Sequence, residues 1–184
     1  MLPAAYHPRR TSGSRIHCVN NLKQVGIAFQ LFATDNTNLF PPALTTNFGG
    51  SREWAGAVSR HFLVASNELA TPVVLVCPAD AQRKPAVDWK SLHNDNISYF
   101  VGLDAGKAQP QSVLAGDRNL TIKGVPVTPG IATLTSNTVL GYTAEIHNGC
   151  GNILLAEGSV QQVTPSRLQD QIRYAGLTNR IAIP

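Results

Sequence analysis

Between Ser14 and Asn36 apolar residues recur with the period of an α-helix. Cys18, Leu22, Val25, Phe29 and Phe32 stand at i, i+4, i+7, i+11 and i+14. Val19, Gly26 and Ala33 widen that stripe, while Asn20, Lys23, Gln24, Gln30 and Thr34 mostly occupy the other side. The pattern predicts a helix of roughly 22 residues, longer than the globular average. Ser12 or Ser14 offers a hydroxyl N-cap, and the poor helix formers Asp35-Asn36-Thr37-Asn38 end it. With one apolar face, such a helix must lie on another layer.

The following patterns supply that layer. Leu39-Phe40-Pro41-Pro42 predicts an extended exit, because proline bars a helical continuation. Residues 45–51, with Asn47 and Gly49-Gly50, read as a loop. A second helix is expected from Arg52 to Ala65, with Trp54, Val58, Phe62 and Ala65 on one side. Val73 to Cys77 is apolar throughout and bounded by Pro72 and Pro78, which reads as a buried strand. Ile97–Leu103 and Ser112–Ala115 are the next strands, with Gly116-Asp117-Arg118-Asn119 as a turn. Leu120–Val127 contains the hairpin signal Lys123-Gly124, and Pro126 and Pro129 confine its far end to an edge.

Thr143–His147 and Ile153–Ala156 are expected to flank a hairpin loop at 148–152. Glu157-Gly158 marks a second tight turn, into Ser159–Val163. Thr164-Pro165-Ser166 starts a last helix with Pro at its first position; Leu168, Ile172 and Ala175 form its apolar side and Gly176 stops it. Ile181–Ile183 alternates like a terminal strand. The order predicts an α+β fold, a long N-terminal helix packed on an antiparallel β-meander with short additional helices.

Composition adjusts this picture little. A chain of 184 residues with 43% hydrophobic residues suits one domain. Charged residues make up 14%, against an average near 25%, a low-charge surface that suits an extracytoplasmic or assembled protein. The net charge of +4 is scattered, with local clusters only at Pro8-Arg9-Arg10 with Arg15 and at Arg83-Lys84, so no nucleic-acid partner is expected. The run Val73–Cys77 falls far short of the ~20 residues of a membrane span. The first ten residues lack the pattern of a signal peptide.

The cysteines are Cys18, Cys77 and Cys150, with no C-x-x-C pair. The histidines lie far from them in sequence, except His17 beside Cys18 and His147 near Cys150, so no zinc spacing stands out. Cys18 reads as a buried thiol on the apolar stripe. An oxidising compartment would also permit one disulfide, for which Cys18 and Cys77 are the expected pair.

A set of motifs runs in order along the chain: Cys18-Val19-Asn20-Asn21-Leu22-Lys23-Gln24-Val25-Gly26, Asp35-Asn36, Phe40-Pro41, and Asn67-Glu68-Leu69 with Pro72. Further on come Leu75-Val76-Cys77-Pro78-Ala79-Asp80, Ser98 to Ala105, Ala115 to Asn119, His147-Asn148 through Gly151-Asn152-Ile153, and Asn179 to Pro184. They resemble those of bacterial prepilin-type, pseudopilin-like proteins of the kind found in planctomycetes and verrucomicrobia. Ala156-Glu157-Gly158-Ser159-Val160 resembles that family's A-D-G-[SH]-V hairpin, with Glu157 in place of Asp.

The resemblance implies that the first helix is the outer half of a pilin spine. Its upstream apolar half would sit in the inner membrane, and Met1-Leu2-Pro3-Ala4-Ala5 stands where that half would end. Residues 1–13 are accordingly expected as a flexible remnant of the membrane-helix junction, and 14–184 as one pilin-like globular domain. The implied function is a non-enzymatic subunit of a type II secretion or type IV pilus-like system, extracytoplasmic and working through other pilin or pseudopilin subunits or an exported protein. The alternative is a soluble extracytoplasmic module that binds calcium or glycan on the same head.

Two candidate chemistries accompany that reading. His147, Cys150 and Glu157 have the residue types of a Cys-His-acid nucleophile system, without a sign of an oxyanion hole or pocket; no catalytic residue is assigned. Asp117, Asn119 and Glu157 are calcium candidates by analogy with secretion pseudopilins, although no EF-hand spacing is present. Cap and turn chemistry is the expected role for these oxygens and for Asp35, Asn36 and Asn38. Arg118 is expected to pair with Asp117, Glu145 or Glu157 and to hold the hairpins together.

Overall fold

In the computed structural model, which describes residues 9–175 and 178–184, the periodic N-terminal segment is one helix, α1 (Arg9–Asp35). At 27 residues it spans about 40 Å. Ser12 and Ser14, expected as N-caps, lie inside it, because the helix starts at least three residues earlier. The expected junction remnant falls largely on residues 1–8, which lie outside the described residues. The expected stop holds. Thr37 and Asn38 take left-handed conformations, the Asn38 amide donates to the Ala33 carbonyl, and Asn36 Nδ2 donates to the Phe32 carbonyl.

Cys18, Leu22, Val25, Phe29 and Phe32 are all buried. Phe29 sits between Phe40 and Phe62, with ring centroids 6.5 and 5.6 Å away. Gly26 brings α1 close to the sheet, since a Cβ there would lie 2.8 Å from Leu154 Cδ1.

The chain after α1 is more broken than its pattern suggests. Phe40 does leave in extended conformation, but Pro41–Ala43 is a 3-10 turn, for which the fixed φ of proline is equally suited. The expected helix 52–65 is split into a 3-10 turn (Arg52–Trp54) and α2 (Val58–Val64). Val58, Phe62 and Ala65 are buried as expected, whereas Trp54 is exposed beneath the Arg60 guanidinium, 5.0 Å from its ring centroid.

His61 of α2 explains the break. Its Nδ1 accepts from the Ser51 hydroxyl (2.7 Å) and its Nε2 donates to the Ala55 carbonyl (3.2 Å), the arrangement of a neutral imidazole. Burial pulls its pKa from the usual 6.5 to about 4, against the opposing bond to Ala55. As pH falls the unfolded chain therefore takes this proton first. The His61 contribution is intact above pH 6.5 and declines between 6.5 and 4, by about 3 kcal/mol at the lower end. Urea unfolding of the wild type and of His61→Gln should show the difference between them changing by that amount from pH 7.5 to pH 4, in favour of the variant.

The sheets are antiparallel. Strands β1 (Tyr99–Gly102), β2 (Val113–Asp117), β5 (Gly130–Thr135), β7 (Gly151–Leu155), β8 (Val160–Val163) and β9 (Thr178–Ile183) form a six-stranded sheet in the order β5-β9-β1-β2-β7-β8. Only β1–β2 and β7–β8 are neighbours consecutive in the chain, so this is not a simple meander. A second sheet, β4-β3-β6, contains β3 (Leu120–Ile122), β4 (Val125–Pro126) and β6 (Leu140–Tyr142). Lys123 and Gly124, at φ 51° and 79°, make the expected hairpin turn between β3 and β4.

Both faces of the large sheet are covered. Tyr99, Val101, Leu154 and Ala182 face the core under α1 and α2. Phe100, Ile153, Leu155, Ile181 and Ile183 face a second core with α3 (Pro165–Ala175), through Leu168 and Ile172, and with the small sheet. A bulge at Leu114 shifts the β2–β7 register between Val113↔Leu155 and Ala115↔Leu154. The expected stop of α3 at Gly176 lies outside the described residues. The architecture is α+β, with three α-helices and two antiparallel sheets among the described residues.

Three further segments differ from expectation. Val73–Cys77 is not a strand, because Pro72–Leu75 coils into a 3-10 turn whose Val73 amide donates to the Thr71 hydroxyl oxygen (3.3 Å). Gly116 and Asp117 belong to β2, not to the turn that follows it. Residues 143–147 form a loop, and β7 pairs instead with β2 and β8.

Candidate functional site

Four polar side chains from four distant segments meet in the core where α1 crosses the end of β2. Cys18 comes from the buried stripe of α1 and Cys77 follows the 72–75 turn. Asp117 is the last residue of β2, and His147 lies in the loop before β7. All four are buried, and one donor atom from each lies within 4.8 Å of the other three. The Cys18 thiol is 3.1 Å from Asp117 Oδ1, Cys77 Sγ is 3.4 Å from His147 Nε2, and Asp117 Oδ2 is 3.5 Å from that same nitrogen.

Local chemistry fixes each segment. Asn21 Nδ2 holds the Val76 carbonyl at 3.0 Å, which sets Cys77 against α1. Arg15 donates to the His147 carbonyl (2.9 Å). Asn119 and Thr143 exchange bonds, Asn119 Nδ2 to the Thr143 carbonyl and the Thr143 amide to the Asn119 carbonyl, both 2.9 Å. Asn152, buried on β7, donates its amide (2.6 Å) and its Nδ2 (3.0 Å) to Asp117 Oδ2, and Nδ2 also reaches Cys18 Sγ (3.2 Å). The Tyr99 hydroxyl donates to Cys18 Sγ at 3.5 Å.

Outside this shell, Arg118 grips Asp80 with Nε and Nη2, both at 2.8 Å, and Glu145 with Nη2 at 3.1 Å. Of the expected partners only Glu145 is one; Asp117 faces inward from the strand, and the fork goes to buried Asp80. Arg118 therefore ties together the three segments that carry Cys77, Asp117 and His147.

Charge is uncomfortable here. Burial pushes the Asp117 carboxyl up to about 7, with His147 opposing it. Burial likewise pushes Cys18 up, while the hydrogen bond from Cys18, with help from His147, draws Cys77 down to about 5. Burial raises Tyr99 as well. A compact, dry group that holds a carboxylate and two sulfurs suits a cation.

The geometry sorts the expected site residues. Cys18 and Cys77 come together, as free thiols. Asp117 lies in the cluster and Asn119 beside it, but Glu157 does not join them. The Glu157 amide bonds to the Pro110 carbonyl, at the end of β2 opposite Asp117, and its carboxylate accepts from the exposed Ser159 hydroxyl (2.7 Å). The three calcium candidates are thus split along a full strand length, about 15 Å. His147, Cys150 and Glu157 do not assemble either, because His147 turns to Cys77 and Asp117. Cys77 and Asp117 share one imidazole nitrogen, whereas a nucleophile relay needs them on opposite nitrogens. Asn152, Asp80 and the pairing of Asp117 with His147 escape sequence reasoning, since their spacings follow no local period.

Compared with protein-family models, curated proteins and solved structures, the chain matches none of them.

Proposed function

We propose that this chain is a non-enzymatic pilin- or pseudopilin-like subunit that works outside the cytoplasm by assembly and protein contacts, with α1 as the outer portion of a longer spine. The observation that carries this reading is a second apolar stripe on α1. Ile16, Ile27 and Leu31 share a face opposite the buried one and are 57, 61 and 51% exposed. A helix that has already seated its core face has no need of these side chains for folding, and a neighbouring subunit would cover them. Ile27 and Leu31 also line a shallow groove between α1 and the β7–β8 turn, with Gly26, Gln30, Thr34, Glu157 and Gly158. No helix among the described residues is long and apolar enough to cross a membrane.

Site-specific crosslinking tests the reading. In a Cys150→Ser background, Ile27→Cys and Leu31→Cys should give disulfide-linked dimers in native cells. Val87→Cys, which is 94% exposed and remote from α1 in sequence, should not. Monomer at all three positions would remove the assembly role.

A further inference from the structure

We propose that Cys18, Cys77, Asp117 and His147 hold a single zinc ion that fastens α1 to the end of β2 and to the two segments beside it. The inference stands on the donor set and its spacing, and it is independent of whether subunits assemble.

Three of the donor separations approach those of ligands around a tetrahedral centre, and one donor atom from each residue lies within 4.8 Å of the other three. Zinc bonds of 2.0–2.3 Å place ligand atoms roughly 3.3–3.8 Å apart along the tetrahedron's edges. The contacts Cys77 Sγ–His147 Nε2 (3.4 Å) and Asp117 Oδ2–His147 Nε2 (3.5 Å) fall in that range, and Cys18 Sγ–Asp117 Oδ1 (3.1 Å) is just under it. The imidazole directs one nitrogen at both sulfur and carboxylate, which is how a ligand faces a shared centre.

The donor types select the ion. Two sulfurs and an imidazole are too soft for calcium or magnesium, which take six or more oxygens. A four-coordinate S2NO set with no geometric bias suits zinc. All four positions are protein side chains and all are buried, so the site is of the closed, structural kind, without a vacant position for substrate.

The surrounding groups fit as well. Two thiolates and a carboxylate around a divalent cation leave one net negative charge. Asn152, through two nitrogens, and the Tyr99 hydroxyl donate toward Cys18 and Asp117, two of the three anionic ligands. Binding would expel the remaining thiol protons, and the ion would resolve the crowding of buried charge described above. The competing chemistry is a disulfide between Cys18 and Cys77, which would remove two of the four donors and leave Asp117 and His147 to each other.

The full chain, produced with zinc and purified under reducing, chelator-free conditions, should contain one zinc per chain by mass spectrometry of the metal. Cobalt exchanged into the wild-type chain should give the intense visible and thiolate charge-transfer absorption of a tetrahedral sulfur-ligated ion. Cys77→Ser and His147→Gln should lose the bound zinc, and Asn152→Ala should weaken zinc binding about 10- to 100-fold in competition with a chromophoric chelator. The wild-type cobalt spectrum keeps the test decisive if a variant fails to fold. A wild-type chain that takes up no zinc after zinc-replete refolding, a cobalt spectrum of octahedral type, or native-source protein with its thiols blocked at lysis and Cys18 joined to Cys77 would each overturn the site. Crosslinks without zinc would refute the metal alone, and zinc without crosslinks the assembly role alone.

Discussion

Phe29→Ala is expected to cost about 3–5 kcal/mol of stability. The ring is fully buried between Phe40 and Phe62, on the face of α1 that meets the sheet, and truncation leaves a cavity that two aromatic neighbours cannot close. Ile27→Ala, two positions away on the exposed stripe, should change the isolated chain by no more than about 0.5 kcal/mol. Urea unfolding of both variants reads the contrast. An equal response would mean that α1 is not seated by its Phe29 face. The same pair separates folding from assembly, because Ile27→Ala should weaken crosslinking at Leu31→Cys through a contact that the stability of the isolated chain never registers.

Arg118→Ala should be as damaging, about 3–5 kcal/mol, because it strands Asp80 as a buried carboxylate without its ion-pair partner, left with the Gln82 amide alone. Lysine should not rescue it, since a single ammonium cannot reproduce two parallel 2.8 Å bonds. The double variant Asp80→Asn with Arg118→Ala should lose less than the sum of the singles. Arg180→Ala provides the control. Its pair with Asp104 is well exposed, and its loss should cost at most about 1 kcal/mol. Loosening Arg118 should also speed the reaction of Cys77 with a thiol reagent, because it frees the segment on which Cys77 sits.

Much of the fold was legible wherever local pattern and tertiary role coincide. The stripe of α1, the Lys123-Gly124 turn, the β7–β8 hairpin and the apolar side of α3 all announce themselves within a few residues. The pattern misled where an apolar run is buried without being a strand. Val73–Cys77 satisfies the apolar criterion equally well as a 3-10 turn, and Pro72 with the Thr71 hydroxyl decides between them. Strand β5 is hidden for the opposite reason. Its Ile131 is exposed while Leu134 is buried, so alternation reads poorly there. The site was legible only in parts. Cys18 was visible as buried, and Cys77 as its expected neighbour. Asp117 read as a turn residue and His147 as the last residue of a hairpin strand, because what joins them is the strand order, which short-range pattern does not encode.

That strand order also bears on how the molecule is made. Residues 178–183 slot between strands from 130–135 and 99–102. Until they have left the ribosome, the sheet lacks the lane that joins lone strand β5 to the four-stranded remainder β1-β2-β7-β8. Closing it joins partners far apart in the chain, a slow event by topology. A nascent chain must therefore pass through the last stretch of its synthesis, from residue 135 to 178, with two adhesive borders open, and a guardian that covers those borders would serve it well.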